Sequence, residues 1–314
     1  MRVVFMGTPD FAVGTLEALL NSEHEVAAVF TQPDKPKGRG HAMQFTPVKE
    51  TAVAAGVPVY QPLKVRETEV IEQVRTLAPE VIVVVAFGQI IPQSILDIPK
   101  YGCVNVHASL LPKYRGAAPI QWAVIDGEER SGVTTMQMDA GLDTGDMLLK
   151  REVVLAENET GGSLFDKLSM VGAELLLETL TALEKGEVQP QKQPAESPTP
   201  YAAMLNKKMG EIDWQRSAVE IERLIRGLNP WPSAYTRLDG KTLKIWEASV
   251  METGEENAVP GTVVSLENGQ IVISTGEGRL AVRELQLEGK KRMAADAFLR
   301  GYKLQTGTVL SGKA

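Results

Sequence analysis

Short, nearly continuous apolar runs in the first half of the chain constrain its fold more than any other feature. Stretches with helical spacing, such as Phe11–Leu20, separate these runs, which are RVVFMG (2–7), EVAAVFT (25–31), VIVVVAF (81–87) and CVNVH (103–107). Strands that are apolar on both faces are typical of parallel sheets covered by helices on each side. The pattern therefore predicts an α/β domain with a doubly wound, mostly parallel sheet.

The second half of the chain follows a different pattern. A long helix, Ser163–Lys185, precedes a stretch with four prolines, GEVQPQKQPAESPTP (186–200), which is typical of a linker. We expect Ser163 and Asp166 to form a capping box at the start of that helix. The domain boundaries predicted on this basis are a first domain over 1–188, a linker over 189–206 and a second domain over 207–314.

The second domain begins with a predicted helix, Ser217–Leu228, and continues in short alternating runs. Asp239-Gly240 and Asn268-Gly269 lie between those runs and predict hairpin turns. Several short strands joined by such turns indicate a small antiparallel β-barrel.

Composition excludes several classes of protein. The chain has 314 residues, of which 43% are hydrophobic and 23% charged, so it is not a disordered protein. One cysteine, Cys103, excludes a disulfide framework, and three histidines argue against a His-rich metal site. The longest apolar run, Val81–Phe87, is far shorter than the ~20 residues that span a bilayer. We therefore expect a cytoplasmic protein without a bound metal or a membrane partner. We also expect a monomer, although composition does not bear on the oligomeric state.

The segment after the fourth apolar run contains the residues best suited to catalysis. Asn105 and His107 lie two apart on a predicted strand and so share a face, while Val104 and Val106 point into the sheet. An amide can stabilise a developing oxyanion and an imidazole can exchange a proton, which together suit acyl transfer. The alternative is a turn asparagine beside a structural histidine, and these two residues alone favour that alternative.

A second cluster, Met138–Asp146, places three carboxylates among glycines in a tight loop. A carboxylate beside His107 would orient the imidazole ring. Spacing alone does not choose among Asp139, Asp143 and Asp146, and an ordinary surface loop is the alternative. The spacing does not fit an EF-hand calcium loop.

Phosphate-binding motifs are absent from the first domain. Gly7–Phe11 follows the first strand but lacks G-x-G-x-x-G, and no P-loop motif occurs, which disfavours an NAD enzyme or a P-loop NTPase. The basic loop Pro33–His41 and the run Gly289–Arg292 could each grip phosphates. Solvated surface loops are the alternative for both.

The longer motifs resemble the folate-dependent formyltransferase family. VNVHASLLPKYRGAAPIQWAV (104–124) and MQMDAGLDTGDML (136–148) are similar to its catalytic core. FMGTPDFAV, TQPDKPKGRG, RGLNPWPSAY and the second domain resemble the members that act on methionyl-tRNA. The resemblance covers nearly the whole chain. It implies a Rossmann-like core, an OB-like β-barrel that contacts tRNA, and formyl transfer from 10-formyltetrahydrofolate to the methionine of initiator tRNA.

The resemblance also implies roles for individual residues. The catalytic trio would be Asn105, His107 and Asp143. Phe11 would contact the methionyl side chain and Arg39 the acceptor stem of the tRNA. The residues implied to line the folate site are Ser109, Leu110, Leu111, Pro112, Phe87 and Ile91, and those implied to contact tRNA on the barrel are Lys290, Lys291 and Arg292.

Two positions differ from many relatives, and three alternatives remain. Ala108 stands where several relatives have Gly or Pro, and Phe87 where Tyr is frequent, but neither change removes a catalytic group. The first alternative is a sibling formyltransferase that acts on an amino sugar or on glycinamide ribonucleotide. The second is a non-catalytic RNA-binding protein, and the third is covalent catalysis by the Cys103 thiol.

Overall fold

The computed structural model describes residues 1–37, 42–251 and 258–311, and these form two compact units. The first unit comprises the described residues of 1–119, 130–154 and 165–202. The second comprises those of 120–129, 155–164 and 203–314. Within the described part of the chain, no helix is both long and apolar enough to span a membrane.

A seven-stranded sheet organises the first unit. Its strands are β1 (Arg2–Gly7), β2 (Glu25–Phe30), β5 (Val59–Tyr60), β6 (Val81–Val85), β7 (Cys103–His107), β8 (Arg130–Gln137) and β9 (Met147–Val154). The order is β5-β2-β1-β6-β7-β8-β9, in which β5 to β7 are parallel and β8 and β9 run antiparallel. A separate hairpin, β3 (Lys35–Lys37) and β4 (Ala42–Gln44), flanks residues 38–41. The predicted mostly parallel α/β sheet is confirmed.

Eight α-helices occur in the described residues. Those of the first unit are α1 (Asp10–Leu20), α2 (Pro47–Ala54), α3 (Thr68–Leu77) and α4 (Gln93–Leu96). Two helices are divided between the units, α5 (Pro119–Ile125) and α6 (Gly161–Lys185), and two belong to the second unit, α7 (Ala218–Gly227) and α8 (Ala295–Gly301). Short 3₁₀ helices cover Lys207–Gly210 and Glu267–Gly269.

The predicted start of α6 is wrong by two residues. We expected Ser163 and Asp166 to cap it, but the helix begins at Gly161. Thr160 provides the cap instead. Its Oγ1 accepts a hydrogen bond from the Ser163 backbone N–H at 3.0 Å, and Ser163 Oγ accepts one from the Thr160 N–H at 3.0 Å. Ser163 therefore lies inside the first turn and completes a reciprocal cap.

The strand order of the first unit reverses between β1 and β6, because the chain builds β2 and β5 on one side of β1 before crossing over. Ligands bind beyond the carboxyl ends of strands at such a reversal. Thr8 Oγ1, after β1, donates to the Phe87 carbonyl after β6 at 2.9 Å, and Gln32 Nε2, after β2, donates to the same oxygen at 3.2 Å. Three strand ends are thus joined beside β7.

The second unit is an antiparallel barrel. Its strands are β10 (Ala234–Leu238), β11 (Lys241–Met251), β12 (Val263–Ser265), β13 (Ile271–Ser274), β14 (Arg279–Leu287) and β15 (Met293–Ala294). The order is β10-β11-β14-β13-β12, with β15 on β14. Residues 308–311 pair with both edges: Arg237 and Ser311 exchange backbone hydrogen bonds, and the Val263 N–H donates to the Thr308 carbonyl. The predicted second domain is therefore confirmed as a small β-barrel.

Both predicted hairpin turns have the backbone that their residues favour. Asp239 and Gly240 have φ values of 49° and 75°, and Asn268 and Gly269 have 54° and 72°. Two consecutive left-handed residues match the right-handed twist of the strands on either side.

Candidate active site

The end of β7 places Asn105 and His107 on one face of the sheet, as the strand alternation predicts. Asn105 pairs with Val84 of β6 and Met136 of β8, so it lies in the middle of the sheet rather than at an edge. Asn105 is 8% exposed and His107 6% exposed. On the opposite face, Val106 lies beneath Gly172 of α6, where an added Cβ would come within 3.0 Å of Val106 Cγ1. Close packing behind the strand fixes the position of the polar pair.

His107 is held through both ring nitrogens. Its Nε2 lies 3.0 Å from the Tyr114 carbonyl oxygen, and its Nδ1 lies 3.8 Å from Oδ1 of Asp143. Because a carbonyl oxygen only accepts hydrogen bonds, Nε2 carries a proton. An imidazolium would direct its second proton toward the Asp143 carboxylate, and the two charges would attract each other. The ring is therefore oriented from both sides.

Asp143 is the aspartate that the fold places beside the histidine. Its backbone is left-handed, with φ of 55°, and its Oδ2 accepts a hydrogen bond from the Gly116 N–H at 2.9 Å. Asp139, by contrast, accepts bonds from Gly141 and Thr144 within its own loop. The geometry thus selects Asp143 from the three carboxylates that sequence spacing leaves open.

The Asn105 carboxamide is the unused donor of the site. Among the described residues it has no hydrogen-bond partner, although its side-chain atoms are not sealed from solvent. Water or a ligand that reaches these atoms can therefore complete their hydrogen bonds. An amide in this position can donate to an oxygen that gains negative charge.

The segment after His107, implied to line the folate site, is tightly bound to its surroundings. Ser109 Oγ donates to the Lys113 carbonyl at 2.6 Å, and Leu111 packs in a buried cluster with Met136 and Met147. Lys150 Nζ donates to the Leu111 carbonyl at 2.6 Å, and burial lowers the pKa of this lysine. Leu110 is partly exposed, whereas Ser109 and Leu111 are buried. Leu110 and Pro112 are thus the partly exposed residues among the four of this segment implied to line the folate site.

The other implied pocket residues lie around the same strand ends. Phe87 and Ile91 are 2% and 3% exposed and belong to the core under the sheet, so this segment can offer backbone to a ligand. Phe11 is 6% exposed and packs edge to face on Phe165, with the ring centroids 5.3 Å apart. Whether these residues touch a substrate stays a prediction.

The structure describes three of the four residues implied to contact tRNA. Arg39 lies outside the described residues. Lys290, Lys291 and Arg292 are exposed after β14, as a nucleic-acid contact requires. Arg292 also pairs with Glu284 and lies over the ring of Trp246, with its Cζ 5.0 Å from the ring centroid. This pairing reduces the positive charge that Arg292 offers, so the two lysines are the stronger candidates.

Several residues at the site were not singled out from the sequence. The Tyr114 carbonyl and the Gly116 N–H contact the trio through main-chain atoms, which any residue type supplies. Gln193 donates to the carbonyls of Asp143 and Gly145 from a segment that the sequence marks as linker. Backbone contacts and isolated amides leave no periodic signal, so neither group could be found from residue types.

The thiol of Cys103 does not suit nucleophilic catalysis. Cys103 is 1% exposed within the apolar core, and burial raises the pKa of its thiol to about 12. A thiol nucleophile needs a low pKa and access to substrate.

Among the described residues, no group of three or more His, Cys, Asp or Glu side chains could hold a metal ion.

Solved structures, among them that of an N-formyltransferase, share this fold. An N-formyltransferase from Helicobacter canadensis, in complex with folinic acid and dTDP-3-aminofucose, is similar with a TM-score of 0.65 at 18% identity, over 90% of this chain and 98% of that one. HypX from Aquifex aeolicus, in complex with tetrahydrofolic acid, is similar with a TM-score of 0.60 at 19% identity, over 98% of this chain and 50% of that one. At such identities the similarity concerns the fold alone.

Sequence relatives are much closer. The family profile "Formyl transferase" matches residues 1–180, and "Formyl transferase, C-terminal domain" matches residues 204–303. A methionyl-tRNA formyltransferase from Agathobacter rectalis is 58% identical over 308 residues, which cover 98% of this chain and 99% of the relative. One from Lachnospira eligens is 59% identical over 314 residues, covering 99% of each. The chain therefore belongs to the methionyl-tRNA formyltransferase family.

Proposed function

We propose that the chain transfers the formyl group of 10-formyltetrahydrofolate to the α-amino group of methionine carried by initiator tRNA. The observation that carries this proposal is the assembly of Asn105, His107 and Asp143 at the end of β7, with the Asn105 amide unpartnered among the described residues. The names of the full-length relatives support the same substrates.

The folate co-substrate supplies an activated formyl group when bound. In the transfer, a bond forms between the methionyl nitrogen and the formyl carbon, and the bond from that carbon to N10 breaks. The proton lost by the amine is transferred to N10. No covalent enzyme intermediate is required, which agrees with the buried, weakly acidic thiol of Cys103.

Asn105, His107 and Asp143 have different roles in this transfer. Asn105 donates its free amide to the formyl oxygen as that oxygen becomes negative. His107, as an imidazolium held between Tyr114 and Asp143, adds a fixed positive charge beside it. Preorganised donors and charges of this kind stabilise a transition state more than the ground state. The 3.8 Å between Nδ1 and the carboxylate is long, and such contacts commonly tighten in the substrate complex.

The tRNA contacts are proposed separately. Arg39 would contact the acceptor stem, and Lys290 and Lys291 would bind tRNA phosphates on the barrel, with Arg292 beside them. Phe11 would contact the methionyl side chain. We also propose that the protein is a cytoplasmic monomer, which sedimentation of the purified chain and fractionation of cells would test.

The test is formyl transfer by the purified chain, compared on initiator methionyl-tRNA, elongator methionyl-tRNA and free methionine. We expect turnover that strongly favours the initiator. Turnover of an amino sugar nucleotide or of glycinamide ribonucleotide, without turnover of tRNA, would instead assign the chain to a sibling activity. Salt-sensitive tRNA binding without any turnover would indicate a non-catalytic RNA-binding protein.

A further inference from the structure

The segment Gln191–Ala202 packs on the first unit, although its composition is typical of a free linker. Gln191 exchanges two backbone hydrogen bonds with Met147, at 2.8 and 2.9 Å. At its other end, Ala202 forms an isolated bridge with Gly116 in the loop after β7: the Ala202 N–H donates to the Arg115 carbonyl at 2.8 Å. The 191–202 segment thus joins the loop after β7 to the start of β9.

Gln193, within this segment, reaches the loop that carries Asp143. Its side chain is buried, and its Nε2 donates to the carbonyl oxygens of Asp143 at 2.9 Å and Gly145 at 2.7 Å. These two carbonyls flank Thr144, so one amide group holds the turn that directs the Asp143 carboxylate. Buried carbonyls that lose such a donor are strongly penalised.

Arg115 fixes the orientation of the Gln193 amide. Its Nε donates to Gln193 Oε1 at 3.0 Å, so the NH₂ group must face the Asp143 loop. The remaining guanidinium nitrogens donate to the backbone of the same segment, Nη2 to the Pro194 carbonyl at 2.7 Å and Nη1 to the Ala195 carbonyl at 3.2 Å. Arg115 is itself buried, at 8% exposure. Each guanidinium nitrogen of Arg115 and both polar atoms of the Gln193 amide thus have at least one hydrogen-bond partner.

The backbone of Asp143 is left-handed, a conformation that aspartate tolerates better than most residues but that surrounding contacts must hold in one position. Its carboxylate must also reach both the Gly116 N–H and the His107 ring. We propose that Gln193, oriented by Arg115, is a positioning residue for formyl transfer that holds Asp143 against His107. This inference rests on the proposed function, since it assigns Gln193 a role in the same reaction.

The test compares Gln193→Glu with Gln191→Glu in the full chain. The first change keeps the acceptor for Arg115 but turns the two donor contacts into repulsion between oxygens. The second is the same substitution two residues away, at an exposed side chain of a residue that pairs with Met147 through its backbone. A third variant, Gln193→Met, removes the amide without adding a buried charge and serves if Gln193→Glu does not fold.

We expect kcat of Gln193→Glu and Gln193→Met to fall about 10- to 100-fold, because a displacement of about 1 Å at a catalytic group costs as much. KM for both substrates should change by less than about threefold, since Gln193 makes none of the contacts that bind the substrate and the transition state equally. Gln191→Glu should match the wild type. In an Asp143→Asn background, Gln193→Met should lower kcat little further. The effects of two substitutions do not add when one residue acts through the other.

Hydrogen exchange of residues 139–146 provides a readout that does not depend on turnover. The amides of this loop should exchange faster in Gln193→Met than in Gln191→Glu, whatever the substrate of the enzyme. Equal exchange in the two variants, wild-type kcat in Gln193→Met, or a loss fully additive with Asp143→Asn would overturn the positioning role. Failure of the wild type to formylate methionyl-tRNA would instead overturn the proposed function, and the exchange measurement would still decide this inference.

Discussion

Asn105 and His107 share a strand face but are held differently, and the difference fits the separate tasks proposed for them. Both ring nitrogens of His107 face acceptors, so the ring has one orientation before substrate arrives. The Asn105 amide has no such partner among the described residues. A ring with a fixed orientation suits a group that acts from one position, whereas a free amide suits a donor that engages only the substrate oxygen.

Replacing Asn105 tests this division directly. Asn105→Ala should lower kcat about 10²- to 10³-fold, the usual effect of removing one oxyanion donor. Asn105→Asp should be worse, because a carboxylate repels the developing negative charge. Steady-state formyl transfer gives kcat and KM for each variant, and circular dichroism checks folding. A folded Asn105→Ala variant with wild-type kcat would contradict the assignment.

Cys103→Ala separates the direct mechanism from a covalent one. The thiol is buried and its pKa is raised to about 12, so at neutral pH it is protonated and inaccessible. We expect kcat to stay near the wild-type value, with a loss of stability of about 1 kcal/mol from the small core cavity. Loss of turnover in the folded variant, or a formylated thiol detected by mass spectrometry, would restore the covalent alternative.

At the residue scale, the sequence predicts the pair on β7 but not its full environment. Strand alternation places Asn105 and His107 on one face whatever the surroundings. The choice of Asp143 depends on a left-handed backbone and on the Gly116 N–H, and spacing contains neither. Resemblance to relatives supplied that choice, and the geometry agrees with it.

At the scale of elements, the sequence predicts best those features that a few neighbouring residues determine, such as hairpin turns. The two hairpin turns depend on Asp-Gly and Asn-Gly, which favour left-handed backbone, and both formed. The start of α6 was wrong because Thr160 and Ser163 can each cap a helix. The 191–202 segment was interpreted as part of a linker because this stretch is rich in proline and poor in apolar residues. Its contacts with the first unit are polar hydrogen bonds, which give no hydrophobic periodicity.

The cap of α7 gives a pH-dependent prediction. Ser217 and Glu220 form a reciprocal capping box, and hydrogen bonds from Arg216 and then from Ser217 lower the pKa of Glu220 to about 2. A carboxyl whose folded pKa is depressed stabilises the fold above its unfolded pKa. That stabilisation is lost as pH falls through the folded value. The contribution of Glu220 should therefore be complete at neutral pH and fade between about pH 4.5 and 2.

Chemical unfolding of Ser217→Ala and Glu220→Ala checks this prediction. Each should lose about 1 kcal/mol at pH 7, typical for a removed cap. The double variant should lose less than the sum, because the two side chains cap each other. The difference between the wild type and Glu220→Ala should shrink as the pH is lowered below about 4.5. A difference independent of pH would contradict the ionic part of the cap.

At the scale of the whole molecule, an acidic chain has to bind a polyanion. The net charge is −7, so tRNA binding must depend on local basic groups rather than on the total charge. Exposed lysines after β14 provide such a group on the barrel. Phosphate contacts release counterions, and the resulting affinity falls steeply with salt.

The double variant Lys290→Ala/Lys291→Ala should raise KM for methionyl-tRNA and leave KM for the folate co-substrate unchanged. The slope of log affinity against log salt should decrease by about one for each lysine that contacts a phosphate. Lys241→Ala, an exposed lysine of the same barrel, serves as the control. An unchanged salt slope in the double variant would place the tRNA contact elsewhere on the chain.

Closure of the barrel by residues 308–311 sets an order of events during synthesis. Because these residues join β10 to the β12 side, the second unit stays open until nearly the last residues of the described chain have left the ribosome. The first unit draws on nothing beyond Ala202, so it can reach its final packing while the barrel is still being made. The unit that holds the proposed catalytic trio is thus assembled first on the ribosome, before the unit proposed to bind tRNA.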